Sequence, residues 1–386
     1  MDLDDLTPWL RLSLSHGIGN DAARRLLNAF GSPQAVFEQT EASLRQVVSA
    51  NQSLALLTEP NDLRVQITRT QQWLKGSTSA QGRAIWCLGD AAYPQALLQL
   101  ADPPLMVYVQ GQLERTLGNA LSVVGSRNPT PQGAQTAQDF AHSLGSDGLC
   151  IVSGLALGID GAAHLGALQG AQTKGLRGLS DQQQTAHHDH HWRTVAVVGT
   201  GLDRVYPRQH HTLAQQICEQ GVMMSEYALG SQPHAHHFPQ RNRLIAALGL
   251  GCLVVEAAKQ SGSLITAQMA LELGREVMAI PGSIHSPQSH GCHHLIRQGA
   301  KLVETANDVL EELQLSAAVD SPALSTHEDD ASPLLKSMGF TPVSLDALLL
   351  RNSLDTATLQ AELLGLELSG QIARLPGGLF QRLNNG

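Results

Sequence analysis

Leu149-Cys-Ile-Val-Ser-Gly-Leu-Ala-Leu-Gly-Ile-Asp160 decides how this chain folds. Residues 149–152 form an apolar run too short for a helix. Ser153 and Gly154 close it, a glycine-rich loop follows, and Asp160 stands where it would cap a helix, with His164 one turn further on. The same cadence recurs through the middle of the chain. Short β-rich runs at 105–109, 121–124, 149–152, 195–198, 222–225, 252–255, 277–280 and 301–303 end in small residues. Helical periodicity follows at about 131–144, 160–168, 208–219, 240–249, 263–273 and 305–313. Such alternation predicts an α/β fold, a mostly parallel sheet covered on both faces, with its sites in the loops at the carboxyl ends of the strands.

Composition sets the bounds. A chain of 386 residues holds two or three domains, and the net charge of −9 argues against coating nucleic acid by bulk electrostatics. Much of the acid excess lies in the last quarter, leaving the middle nearly balanced and able to carry a local basic pocket. The apolar runs are short, so no membrane span is expected, and Met-Asp-Leu-Asp-Asp lacks the basic and apolar regions of a signal peptide. Five scattered cysteines without a Cys-x-x-Cys pair read as reduced, buried thiols, and the expected location is the cytoplasm.

Three segments depart from the α/β pattern of residues 84–313: one precedes it, one interrupts it and one follows it. Residues 1–75 read as a helical domain, and His16-Gly-Ile-Gly-Asn-Asp-Ala-Ala-Arg-Arg-Leu-Leu27 has the form of a helix-hairpin-helix (SAM-like) turn. It either offers N–H groups to a DNA phosphate or is a plain helical hairpin. Gly125 to Gly154 is a normal βαβ step of 29 residues, but Gly154 to Gly199 is 45. The excess falls in a Gly-, Gln- and Ser-rich insertion, 170–194, whose His187-His-Asp-His-His191 run lacks ordered ligand spacing, so no metal site is expected. Residues 314–333 form an acidic linker to a tail, 334–386, with helices at about 333–338, 344–351 and 355–366 and a Leu-Pro-Gly-Gly turn at 375–378. Three helices and a β-wing suggest a winged helix. Its third helix carries acids and no base, which suits protein contact better than a DNA groove.

Four strand-end loops could carry chemistry. Gly125, Ser126 and Arg127 follow one strand; Ser153, Gly154 and Gly158 follow the next. Gly199-Thr-Gly-Leu-Asp-Arg204-Val-Tyr-Pro207 follows a third, and Ser261, Gly262 and Ser263 open a helix after Glu256. Glycines let an anion approach the backbone, and hydroxyls with N–H groups can cradle a phosphate. His237-Phe-Pro-Gln-Arg-Asn-Arg243 adds a stacking ring, Phe238, and Pro239 at an expected first helical position. Arg241 and Arg243 would then fall in or near the first turn, where cations are out of place unless an anion binds. The alternative is a surface helix start whose arginines pair with carboxylates. In a helix these two arginines point about 200° apart, so Arg241 is expected on the ligand and Arg243 on the pocket wall.

Cofactor chemistry is not expected. Gly199-Thr-Gly201 lacks the third glycine of a dinucleotide loop, and no Gly-Lys-Ser/Thr of a P-loop occurs. Asp160, Glu226, Glu256 and His164 could serve hydrolysis of a nucleotide; they also suit a helix cap and salt bridges.

Together, Val123-Val-Gly-Ser-Arg127, Ser153-Gly-Leu-Ala-Leu-Gly-Ile-Asp160, Gly201-Leu-Asp-Arg-Val-Tyr-Pro207, Ser225-Glu-Tyr227, the His237–Arg243 stretch, Ser261-Gly-Ser-Leu-Ile-Thr266, Pro281-Gly-Ser and Gly-Cys-His293 resemble the bacterial DNA-processing protein family DprA (Smf). The resemblance covers about residues 84–313. It implies an extended Rossmann-like domain that binds single-stranded DNA, forms a homodimer, protects incoming DNA and helps load RecA recombinase in natural transformation, without being an enzyme. By that similarity Arg127 holds a phosphate, Phe238 stacks on a base, and Arg241, Asn242 and the Ser261–Ser263 loop complete the pocket. Members often carry Lys or Arg just before His-Phe-Pro, where this chain has His234, Ala235 and His236. A related Rossmann-like group of phosphoribohydrolase-like enzymes is the alternative, but its Pro-Gly-Gly-x-Gly-Thr loop is missing.

Overall fold

A computed structural model describes residues 3–78, 81–173, 190–315, 332–352 and 354–383. Most of the 170–194 insertion and of the 314–333 linker lies outside these residues.

The N-terminal region is helical: α1 (Leu3–Leu14), α2 (Asn20–Phe30), α3 (Pro33–Phe37), α4 (Glu41–Leu44), α5 (Ala50–Leu57) and α6 (Leu63–Lys75). Local chemistry starts several of them. Ser32, Thr40 and Ser49 each accept a backbone N–H of the turn they precede, and Ser49 with Gln52 completes a capping box. In the Gly17–Gly19 hairpin the cations are taken up by the protein's own carbonyls and carboxylates. Arg24 donates to the Ala101 carbonyl at 2.9 Å, and Arg25 donates to the Val47 carbonyl at 3.0 Å and pairs with Asp21 at 3.2 Å. That arrangement suits a plain structural hairpin. Trp73 meets Tyr108 edge-on at 6.0 Å, so helices and sheet share a core.

The α/β region holds one nine-stranded sheet: β1 (Gly82–Cys87), β2 (Met106–Gly111), β3 (Ala120–Val124), β4 (Cys150–Ser153), β5 (Thr194–Val197), β6 (Val222–Ser225), β7 (Gly251–Val254), β8 (Glu276–Ala279) and β9 (Lys301–Leu302). Their order is β1-β2-β6-β5-β4-β3-β7-β8-β9, parallel from β6 to β9 and antiparallel at β1 and β2. The expected runs omit β1. The helices are α7 (Pro131–Ser146), α8 (Ile159–Thr173), α9 (His211–Gln220), α10 (His237–Leu248), α11 (Gly262–Glu272), α12 (His290–Arg297) and α13 (Ala306–Glu312). Alternate residues of β3 feed opposite cores. Leu121 and Val123 meet Ala137, Leu144 and Ile159 on one face, and Ala120 and Val124 join Leu244 and Ala247 on the other. From β3 the chain winds one way through β4, β5 and β6, then crosses to β7, β8 and β9. The β3/β7 boundary is the topological switch point.

The tail is a winged helix: α14 (Pro333–Met338), β10 (Val343–Ser344), α15 (Leu345–Arg351), α16 (Thr356–Leu368), β11 (Ile372–Leu375) and β12 (Leu379–Arg382). Asp355 caps α16 by accepting from the Ala357 and Thr358 amides at 3.0 Å. Gly377 and Gly378 take positive φ in the wing turn.

His164 is fully buried in α8. The Thr194 hydroxyl donates to the Ile151 carbonyl at 2.6 Å, which leaves its oxygen to accept the His164 Nδ1–H, also at 2.6 Å. Burial holds this imidazole far down, at about 3, so it is a neutral strut between α8 and β5 rather than an acid–base group. Thr194→Val keeps the shape and strands that N–H. It should lower the unfolding free energy by about 1–3 kcal/mol in urea titration; unchanged stability would show that the imidazole needs no partner there.

Candidate nucleic-acid interface

A cavity of about 80 Å³ opens where the carboxyl ends of β3, β4 and β5 meet the start of α10. Arg127, Gly154, Gly199, Phe238 and Arg241 line it, together with Tyr206. It sits beside the switch point rather than in it, for a local reason. Thr130 caps α7, and Glu256, just past β7, accepts from both the Thr130 amide (2.9 Å) and its hydroxyl (2.7 Å). The helix N-terminus that would hold a dinucleotide phosphate therefore carries the protein's own carboxylate.

Helix α10 begins earlier than expected. Its first residue is His237, so Pro239 takes the third position rather than the first, and Arg241 and Arg243 fall in the second turn. Pro239 still forfeits nothing, because the third N–H of a helix also lacks an intrahelical partner. These arginines therefore do not crowd the helix terminus and act through the groups they reach.

Arg241 is only 3 % exposed. Its Nη1 donates to the Gly154 carbonyl at 2.6 Å and also to the Val197 carbonyl. A side chain on Gly154 would put Cβ 2.5–2.7 Å from this guanidinium. The glycine makes room for the protein's own arginine rather than directly for a ligand. Burial lowers Arg241 to about 10, opposed by nearby Asp160, so it stays charged at neutral pH. Asp160 is the second residue of α8 rather than its cap, and its carboxylate turns back to accept the Ala156 amide at 3.2 Å. Burial raises its pKa against the pull of Arg241. In the same loop Leu155 holds φ +58, a strained conformation for a branched side chain, while its carbonyl accepts the His210 Nδ1–H at 3.0 Å.

Phe238 has two flat groups as neighbours. The Tyr206 ring lies 5.7 Å away and the Arg127 guanidinium 5.3 Å from the ring centroid. A Cβ on Gly199 would approach the Phe238 ring at 3.2 Å, so this glycine too is fitted to the site's own side chain. Arg127 is exposed and has no ion pair among the described residues. A free cation over a half-buried aromatic, with a second guanidinium in the wall, suits a phosphate joined to a base.

The remaining expected residues frame this centre. Gly158, at φ +83, packs against the carbonyls of Ser126 and Arg127. Gly125 packs on Ile159 and the Glu256 backbone, and the Ser126 hydroxyl accepts the Asn128 amide at 3.1 Å. Ser153 donates to the Val123 carbonyl at 2.6 Å, tying β4 to β3. Ser261 caps α11 and lies 2.6 Å from the Ser263 hydroxyl, while Asn242 reaches the Gly262 carbonyl at 3.5 Å. Arg204 pairs with Asp203 at 3.4 Å and is not among the cavity's lining residues. Arg243 pairs with Glu226, whose carboxyl burial lifts to about 7 despite that arginine. Tyr206 was not an expected site residue; its signal was an aromatic inside a glycine-led strand-end loop.

Comparison with known proteins places the chain in a family. The family model described as DNA recombination-mediator protein A matches residues 84–314, and that of the DprA winged helix domain matches 305–378. Protein Smf of Escherichia coli (strain K12) is 41% identical over 296 residues, 74% of each chain. DNA processing protein DprA of Streptococcus pneumoniae is 43% identical over 225 residues, 58% of this chain and 72% of that one. The X-ray structure of DNA processing protein A from Streptococcus pneumoniae superposes with a TM-score of 0.63 at 34% identity, covering 78% of this chain and 95% of that one. With a family model spanning its whole α/β region and a second one on its tail, this chain belongs to the DNA recombination-mediator protein A (DprA/Smf) family.

Proposed function

We propose that this protein binds single-stranded DNA in the cytoplasm, protects incoming strands and helps load a RecA recombinase during natural transformation, acting as a homodimer and not as an enzyme. The observation that carries the DNA-binding part is the exposed Arg127 guanidinium over the Phe238 ring at the mouth of the cavity. One nucleotide offers both partners that pair requires, a phosphate for the guanidinium and a base for the ring. Recombinase loading, dimerisation and the transformation setting rest on the family resemblance. The winged helix is assigned to protein contact, since α16 carries Glu362 and Glu367 and no base.

The alternative, a nucleotide hydrolase, finds little support in the carboxylates. Glu256 is engaged by Thr130, Glu226 by Arg243, and Asp160 by the Ala156 amide. A panel of nucleoside monophosphates should yield no free base. Base release that disappears in Glu256→Gln would replace the binding reading with the enzymatic one.

Fluorescence anisotropy with an oligo-dT ladder and duplex controls tests the main reading. Phe238→Ala should cost about 1–3 kcal/mol of affinity, and Arg127→Ala about as much. Affinity should fall by about 0.7 log unit per log unit of salt for each phosphate neutralised. Full affinity in Arg127→Ala, or indifference to salt, would overturn the assignment. Gly154→Ala should also weaken binding, by about tenfold, because its Cβ displaces Arg241. Equal affinity there would show that the guanidinium's position does not matter.

A further inference from the structure

A second, larger cavity lies at one edge of the sheet, away from the carboxyl ends of β3, β4 and β5. Its volume is about 520 Å³, and it separates the helical N-terminal region from β1. Four consecutive residues of β1, Arg83, Ala84, Ile85 and Trp86, line it. Successive side chains of a strand point to opposite faces. Here Ile85 enters the core shared with the N-terminal helices, and Trp86 packs against the core on the other face. A cavity bordered by both sets runs along the edge of the strand rather than over one face. Leu6 of α1 and Leu74 of α6 also line this slot, as do Asp90 and Ala91 in the turn after β1.

The main chain along this edge is incompletely bonded. β1 ends the sheet, with β2 as its neighbour on one side. In an antiparallel ladder alternate residues spend their N–H and C=O groups on the partner strand, and the others aim theirs outward. Arg83 and Cys87 are of the outward kind. Arg83 donates its amide to the Ser77 hydroxyl at 2.8 Å, and Cys87 donates its amide to the Asp90 carboxylate, also at 2.8 Å. The Cys87 carbonyl accepts the Asp90 amide at 3.0 Å. Ile85 lies between them in the same phase. Its N–H and C=O, with the Arg83 C=O, find no hydrogen-bond partner among the described residues. Sheet edges are ordinarily covered or blocked. Here both ends are blocked, and the middle presents acceptor, donor and acceptor to a slot.

We propose that this slot takes an extended, base-bearing segment of another polypeptide as a further strand beside β1. The three main-chain groups match those of an incoming strand, which is how an edge recognises a peptide. The charges select a basic one. Asp5 lines the slot, exposed and without an ion pair among the described residues, and Asp90 stands in the turn after β1. Arg83, the cation that lines the slot, is already engaged: its guanidinium donates to the Trp73 carbonyl at 2.9 Å and lies over the Trp73 ring. A second copy of the chain carries its own β1 behind the same helices, so a free extended segment suits the slot better than another folded edge. Strands β2 and β6 separate β1 from β5 and the DNA cavity, and the two sites can be filled together.

The probe is a labelled heptapeptide of alternating Val and Lys, titrated into the full chain by fluorescence anisotropy. It should bind, and at saturation it should slow hydrogen exchange at the Ile85 amide by about tenfold. The same peptide with N-methylated backbone amides keeps its side chains and charge but loses its donors, and should bind about tenfold more weakly. Ala91→Trp fills the slot from an exposed position and should abolish binding. Asp5→Lys should weaken it about threefold, while a peptide of alternating Val and Glu gains. Unfolding midpoints in urea equal to the parent's show that both variants are folded. No binding of the Val and Lys peptide, equal binding of its N-methylated form, or unchanged exchange at Ile85 would each overturn the proposal. So would self-association that Ala91→Trp abolishes, which would make a second copy the occupant.

Discussion

The burial of the Arg241 guanidinium is the constraint on which the rest of the site depends. Removing an arginine from water is costly unless its donors find acceptors, and here Nη1 finds two, the Gly154 and Val197 carbonyls at the ends of β4 and β5. That requirement fixes much else. Position 154 must lack a Cβ, the β4 loop must turn sharply enough to bring Asp160 near, and α10 must start close above the sheet edge. Phe238 lies three residues before Arg241 and so shares its helical face. The same contact that anchors the arginine thus aims the ring into the cavity, while Asn242 and Arg243 leave toward the Gly262 carbonyl and Glu226.

A second carboxylate decides what the fold is not used for. In doubly wound sheets the switch point and its helix N-terminus form a natural phosphate site. In this protein Glu256 occupies it by binding Thr130, and Gly133 packs directly against the Glu256 carboxylate. A mononucleotide or dinucleotide phosphate would have to displace an anion already satisfied by two hydrogen bonds. The open space is pushed toward β4 and β5, where it is bordered by aromatic rings and guanidinium groups and lies near the surface. That suits a polymer strand running across the sheet edge better than a small cofactor buried in a crevice.

The parallel sheet was legible because each of its central strands is a short apolar run closed by a small residue, and a strand buried on both faces needs nothing more. Edge strand β1 was not, since Gly82 and Arg83 break the apolar pattern and only alternate residues face the core. The start of α10 was misread at Pro239 because His236 supplies no side-chain cap, so the sequence carries no signal two residues earlier. At Gly154 and Gly199 the space left by the missing Cβ is filled by the protein's own Arg241 and Phe238, whereas at Gly262 it is open. Arg241 lies 87 residues from Gly154, and nothing local says that the space is for a side chain. The opposed directions of Arg241 and Arg243 were readable, because helical phase alone separates two residues that lie two apart.

The net charge is −9, and the cations near the cavity are arranged rather than numerous. Arg204 and Arg243 are paired with carboxylates, and Arg241 is enclosed in the wall. Of these arginines Arg127 alone is exposed without an ion pair, and its guanidinium is already held over a ring. Few phosphates can then be neutralised per site, so stacking carries a larger share of the affinity and the electrostatic share stays small. In such a site each added charge matters more than it would on a basic surface.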